Sequence, residues 1–185
     1  MKNGMQSGLP IANEQGFTLM ELLVVFFIVA LLSGLAVVSI RGNDPAAAVT
    51  TEALRIRELL DLAARESVFS FQETGVLFGS KGFSFLTQDE TGQWSILKKD
   101  DVLRTRTLPE GMTFSVWTEE VPLALVDDED LLDGSPGGKE IKPHLYFFSS
   151  GERIPFRIQI QTAQGIVREL TGGTVGAMTI ESPKP

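Results

Sequence analysis

From Phe17 to Val38 the chain is a predominantly apolar run in which Glu21 is the only charge. As helix that run is roughly 33 Å long, enough to cover a bilayer hydrocarbon core of about 30 Å. One spanning helix over these residues is therefore the first expectation. An ionised side chain inside such a span costs several kcal/mol unless it faces a partner, so an intramembrane carboxylate marks a site whose partner has to be named. The sequence supplies a candidate. If the chain is cut after Gly16, the new α-amine of Phe17 lies one helical turn from Glu21, close enough to pair within the chain or between neighbouring copies.

An ordinary secretory signal fits these residues less well. Its apolar core is usually about 7–15 residues, carries no charge and is followed by small residues at a cleavage site. Here Glu21 stands at the front of a longer run, and Ser33-Gly34 is a poor place to cut. Gly16-Phe17-Thr18-Leu19-Met20-Glu21 followed by a Leu/Val/Phe-rich helix instead resembles the class III signal of type IV pilins and of the pseudopilins of type II secretion. The resemblance implies that a prepilin peptidase cuts between Gly16 and Phe17 and methylates the new Phe17 amine, and that Glu21 is the assembly carboxylate. It also implies two uses for the helix, as an inner-membrane anchor and as packing in a helical filament. The leader departs from the family pattern in having Lys2 as its only basic side chain and Glu14 two residues before the cut. Arg41 beyond the span offsets Lys2 before it, so charge sets the topology only slightly. The N-terminus is placed in the cytoplasm and the C-terminal domain in the periplasm, with a single pass through the bacterial inner membrane.

About 140 residues remain after the membrane segment, room for one modest globular domain and no second core. The formal net charge of −8 and sequence pI of about 4.7 oppose a sequence-independent grip on nucleic-acid phosphates, which needs a basic surface. No nucleic-acid partner is expected. With no cysteine, neither a disulfide framework nor a thiolate metal site is available.

The pattern breaks at Arg41-Gly42-Asn43-Asp44-Pro45, where Pro45 disfavours helical geometry at Asp44 and a hinge or kink is expected. Residues 46–71 then return to helix: Val49, Ala53, Ile56, Leu60, Ala63, Ser67 and Phe71 fall on one stripe at spacings of three and four. From Gly75 onward the period is two. Met112, Phe114 and Val116 alternate with Thr113 and Ser115, and Ile154, Phe156, Ile158 and Ile160 with Pro155, Arg157, Gln159 and Gln161, as in half-buried antiparallel strands. Further strands are expected at 76–78, 83–86, 94–97, 102–107, 145–148, 166–170 and 175–180, with Pro155 at an edge or a strand start because it cannot donate to a ladder. The fold class is α+β, a long N-terminal membrane-spanning helix on the pilin-like plan packed on an antiparallel β-sheet or β-sandwich domain. The expected organisation is a leader over 1–16, a transmembrane and assembly helix over 17–41, and a periplasmic domain over 42–185.

Three further stretches narrow the resemblance. Arg57-Glu58-Leu59-Leu60-Asp61-Leu62-Ala63-Ala64-Arg65-Glu66, Leu108-Pro109-Glu110-Gly111 and Phe147-Phe148-Ser149-Ser150-Gly151-Glu152 are similar to the H-type minor pseudopilins of type II secretion. That resemblance implies a structural subunit of the secretion pseudopilus, supporting export of folded proteins across the outer membrane. It would be no enzyme and need no cofactor. Implied partners are the prepilin peptidase, the major pseudopilin, the other minor pseudopilins and the inner-membrane assembly platform. The alternative is a minor pilin of a type IV pilus, acting in initiation, adhesion or DNA uptake.

Other candidate sites have plainer explanations. Asp127-Asp128-Glu129-Asp130 with Asp133-Gly134 is dense in oxygen ligands but lacks calcium-loop spacing, so 127–138 is expected as a solvated mobile loop with no metal. His144 is expected to be structural, since no nucleophile and orienting acid can be named around it. Gly172-Gly173-Thr174-Val175-Gly176 opens no helix and so is no phosphate loop. Trp94 and Trp117 are expected in the core or on a sheet face.

Overall fold

The computed structural model describes residues 17–41, 44–98, 100–133 and 141–183, with the side chains of 34–41 outside the described set. The leader at 1–16, the expected hinge at Gly42-Asn43 and the 134–138 half of the acidic loop lie outside the described residues. The chain divides into two compact units that meet between Asn43 and Asp44.

The N-terminal unit is one helix, α1 (Leu19–Arg41). Phe17 and Thr18 precede it rather than belonging to it. Among the described residues no helix is long and apolar enough to cross a membrane. The part of α1 with described side chains, 19–33, is about 22 Å of helix, short of a bilayer core; the apolar sequence continues to Val38.

The second unit opens on α2 (Pro45–Ser70). Asp44 is its N-cap, in extended geometry, and its Oδ1 accepts from Ala46 N at 2.9 Å. Pro45 occupies the first helical position, where its missing N–H is no loss. The residues expected to break helix therefore start one. The buried face consists of Val49, Glu52, Ala53, Ile56, Leu59, Leu60, Ala63 and Ser67, the expected stripe without Phe71 and with Glu52 and Leu59 added. The stripe ends there because Phe71 is the C-cap, in the left-handed region at φ 54°, which swings its side chain into solvent.

The strands follow as β1 (Thr74–Phe78), β2 (Gly82–Gln88), β3 (Trp94–Ile96), β4 (Arg106–Thr107), β5 (Met112–Thr118) and β6 (Val121–Pro122). After a short helix α3 (Asp128–Asp133) come β7 (Leu145–Phe147), β8 (Phe156–Thr162), β9 (Val167–Gly172) and β10 (Thr179–Glu181). They form two antiparallel sheets. One has the order β3-β2-β1-β7, with β4 also on β2; the other runs β10-β9-β8-β5-β6. Phe114 stands opposite Ile160, and Val116 opposite Ile158, which in turn faces Leu170. Alternation places those side chains on one face, and that face shares a core with α2 and with Val76, Phe78, Phe83, Phe85, Leu145 and Phe147 of the first sheet. Full burial of such side chains contributes about 1.5–3 kcal/mol each.

Every residue of β1 is buried, because its other face is covered too. There Leu77 and Leu86 pack with Leu131 and Ile141 in a second small cluster. This corrects the expectation of a solvated loop at 127–133. Leu131, on α3, is 2% exposed. The Asp128 carboxylate accepts from Ser80 Oγ and from Lys81 N, both at 2.9 Å, while Ser84 Oγ donates to the Leu131 carbonyl at 3.1 Å.

Candidate assembly site

Of the three residues expected to carry function, Gly16 lies outside the described residues, and Phe17 and Glu21 lie at the start of α1. Thr18 links them. Its carbonyl accepts from Glu21 N at 3.1 Å and from Leu22 N at 3.3 Å, and its Oγ1 accepts from Glu21 N at 3.2 Å. Thr18 is thus the N-cap of α1 and Glu21 its third helical residue, the T-x-x-E spacing of a capping box. That spacing was present in the sequence and identifies Thr18 as a further residue of the site. A carboxylate in the first turn also meets the positive end of the helix dipole. Phe17 is 74% exposed, and the apolar side chains Leu19 to Leu32 are likewise uncovered along α1. The arrangement is an accessible carboxylate heading a run of exposed apolar side chains.

The other candidates fall into structural roles. His144 Nδ1 accepts from Phe78 N at 3.0 Å, while His144 N donates to Val76 O at 2.8 Å, so the ring fastens the chain before β7 to β1. Burial pushes its pKa below the ordinary histidine value, partly offset by a hydrogen bond with the Ala124 backbone. Only the neutral ring can accept at Nδ1. With the folded-state pKa below the unfolded value of 6.5, the unfolded chain takes up the proton first, so stability present above pH 6.5 is lost as pH falls below it. His144→Asn keeps an acceptor without that titration. Its melting temperature is expected to vary less between pH 7.5 and 5 than that of the unaltered chain; parallel pH profiles would rule out this role.

Trp94 is half-buried and meets Tyr146 edge-on, with ring centroids 5.6 Å apart. Trp117 lies under the Arg157 guanidinium, 4.7 Å from the ring centroid. Arg157 also pairs with Glu120 at 2.7 Å, restraining a β5–β6 turn in which Glu119 and Glu120 both have positive φ. Gly172 ends β9, where a Cβ would come within 2.5 Å of the Phe156 ring, so the glycine serves packing. The Leu108–Gly111 and Ser149–Glu152 stretches are turns, closed by Met112 N to Pro109 O at 3.2 Å and by Gly151 N to Phe148 O at 2.9 Å. Among the described residues no cluster of three or more Asp, Glu or His side chains could hold a metal ion.

Residues 11–37 match the prokaryotic N-terminal methylation motif. The type II secretion system protein H of Pseudomonas aeruginosa is 32% identical over 153 residues, covering 80% of this chain and 83% of that one. The chain belongs to the type II secretion system protein H family. The H protein of Aeromonas hydrophila is 26% identical over 159 residues, covering 85% and 86%. The fold agrees. The minor pseudopilin EpsH of Vibrio cholerae superposes with a TM-score of 0.60 at 20% identity, covering 77% of this chain and 99% of that one. GspH of E. coli gives 0.55 at 16% identity, covering 76% and 94%. As a type II secretion H protein the chain is a minor pseudopilin, with the N-terminal helix and antiparallel sheets of that family.

Proposed function

We propose that this minor pseudopilin is made as a precursor, cut between Gly16 and Phe17 by a prepilin peptidase and methylated on the Phe17 amine. It then resides in the inner membrane as a single-pass protein, with its N-terminus cytoplasmic and residues 42–185 periplasmic. There the apolar stretch of α1, through Val38, serves as the anchor. From the membrane the subunit enters a pseudopilus together with the major pseudopilin and other minor pseudopilins, handled by the inner-membrane assembly platform. It acts as a structural subunit and not as an enzyme.

The observation that carries this reading is the head of α1, where Glu21 stands in the first turn, three residues after the Thr18 cap and four after Phe17, above an uncovered apolar surface. Lipid and packed helices are similarly apolar, so transfer from one to the other gains little from exclusion of water. Packing and a pair between the Glu21 carboxylate and the Phe17 amine of a neighbour have to bias it.

Processing tests the proposal directly. Intact-mass measurement of membrane-extracted protein is expected to show a chain beginning at N-methylated Phe17. A bulky residue at Gly16 is expected to block the cut, leaving the precursor mass. A mature terminus elsewhere, or uncut protein in peptidase-positive cells, would overturn the assignment.

A further inference from the structure

The far end of α2 carries apolar surface that the domain's core does not use. Phe69 is 78% exposed and Phe71 85%, although the opposite face of the helix is fully buried. Beside Phe69 a groove opens, lined by Asp61, Arg65, Val68, Phe69, Arg153 and Gly176 among others. Arg153 is 6% exposed. One of its terminal nitrogens donates to the Gly176 carbonyl at 2.5 Å, and its Nε, also buried, has no hydrogen-bond partner among the described residues.

The local charge runs against that of the chain. Of the charged side chains described along the groove, Arg65 and Arg153 are cations and Asp61 is the acid, in a chain of net charge −8, while nearby Arg57 and Glu58 pair with each other at 2.6 Å. Burial, and then Glu58, raises the Asp61 pKa. Arg65 is exposed and stands one helical turn from Phe69. An exposed arginine beside an exposed aromatic is the composition of an interface hot spot, and guanidinium matches carboxylate in shape as well as charge.

We propose that this groove docks a segment of a partner pseudopilin in which a carboxylate side chain stands beside an apolar one, the carboxylate meeting Arg65 and the apolar group covering Phe69 and Val68. The proposal rests on the reading of the chain as an assembling subunit. A second copy using the same face would set Arg65 and its neighbours against their own symmetry mates, like charge against like, which disfavours a two-fold pair of this chain through the groove. The groove lies along the C-terminal part of α2.

The test places a photo-crosslinking residue at Phe69 of the full-length chain in secreting cells, with Val24 of α1 as a second site. The expected Phe69 adduct is with another pseudopilin, and its crosslinked peptide contains Asp or Glu close to an aliphatic or aromatic residue. Arg65→Glu is expected to reduce that adduct about tenfold, equivalent to about 1.4 kcal/mol of binding free energy, while Val24 adducts persist. Val24 adducts to pseudopilins together with a Phe69 adduct to lipid, to a second copy or to nothing would overturn the groove proposal and leave the assembly reading standing. An undiminished Phe69 adduct in Arg65→Glu would likewise overturn it. Absence of pseudopilin adducts from both sites would contradict the assembly reading itself.

Discussion

Phe78→Ala is expected to remove about 3–5 kcal/mol of stability, much of what a domain with a typical 5–15 kcal/mol possesses. Phe78 is fully buried in β1. Its ring meets Phe114 of β5 edge-on at 5.2 Å and Phe83 of β2 at 5.9 Å, and Phe83 and Phe114 meet each other at 5.9 Å. Phe78 and Phe83 thus both meet Phe114 across the two sheets, Phe78 at the shorter distance. Loss of the Phe78 ring leaves a cavity and also forfeits two aromatic contacts, each worth about 0.5–1.5 kcal/mol beyond area burial. Urea unfolding of a fragment comprising residues 44–185 measures the effect, with Phe69→Ala as a comparison expected within about 0.5 kcal/mol of the unaltered fragment. A Phe78→Ala loss below about 1 kcal/mol would show that the sheets are not joined through this cluster.

Legibility in the sequence tracked the strength of local pattern. The α2 stripe and the one-sided strands β5 and β8 have long, regular periods, and the structure keeps them. Glu52 joins the buried face against its type because Arg55 pairs with it at 3.1 Å. Where side chains bond the backbone locally, strand expectations shortened. Only Arg106–Thr107 of 102–107 is strand, because the Asp100 carboxylate accepts from Val102 N at 2.7 Å and Leu103 N at 2.6 Å and curls the chain. The expected strand 175–180 begins only at Thr179, after Gly176 turns at φ 91°. β6 was missed because two residues have no period. At α3 the acidic run concealed one decisive apolar residue, Leu131, whose burial depends on a β-sheet distant in sequence. The head of α1 was legible as a motif, whereas the Thr18 cap became evident from backbone geometry.

The second large effect is expected at Glu21. Glu21→Leu removes the one charge from the apolar run, so membrane insertion should persist or strengthen by about 2.5–3.5 kcal/mol. Cleavage should remain largely intact, because the proposed cut lies at Gly16. Assembly should fail, since the Phe17 amine would be buried in the filament without its carboxylate, and removal of one member of a buried pair costs about 3–5 kcal/mol. Loss of the acidic group from the first turn of α1 accounts for only about 0.3–1 kcal/mol of any helix effect, too little to exclude the subunit.

The deciding measurement is co-isolation of mature Glu21→Leu protein with the other pseudopilins, read beside membrane fractionation of the same cells. The expected result is a processed, membrane-bound chain that no longer co-purifies with them. Normal co-assembly of that variant would contradict it, because the carboxylate would then have no part in bringing the subunit into the filament.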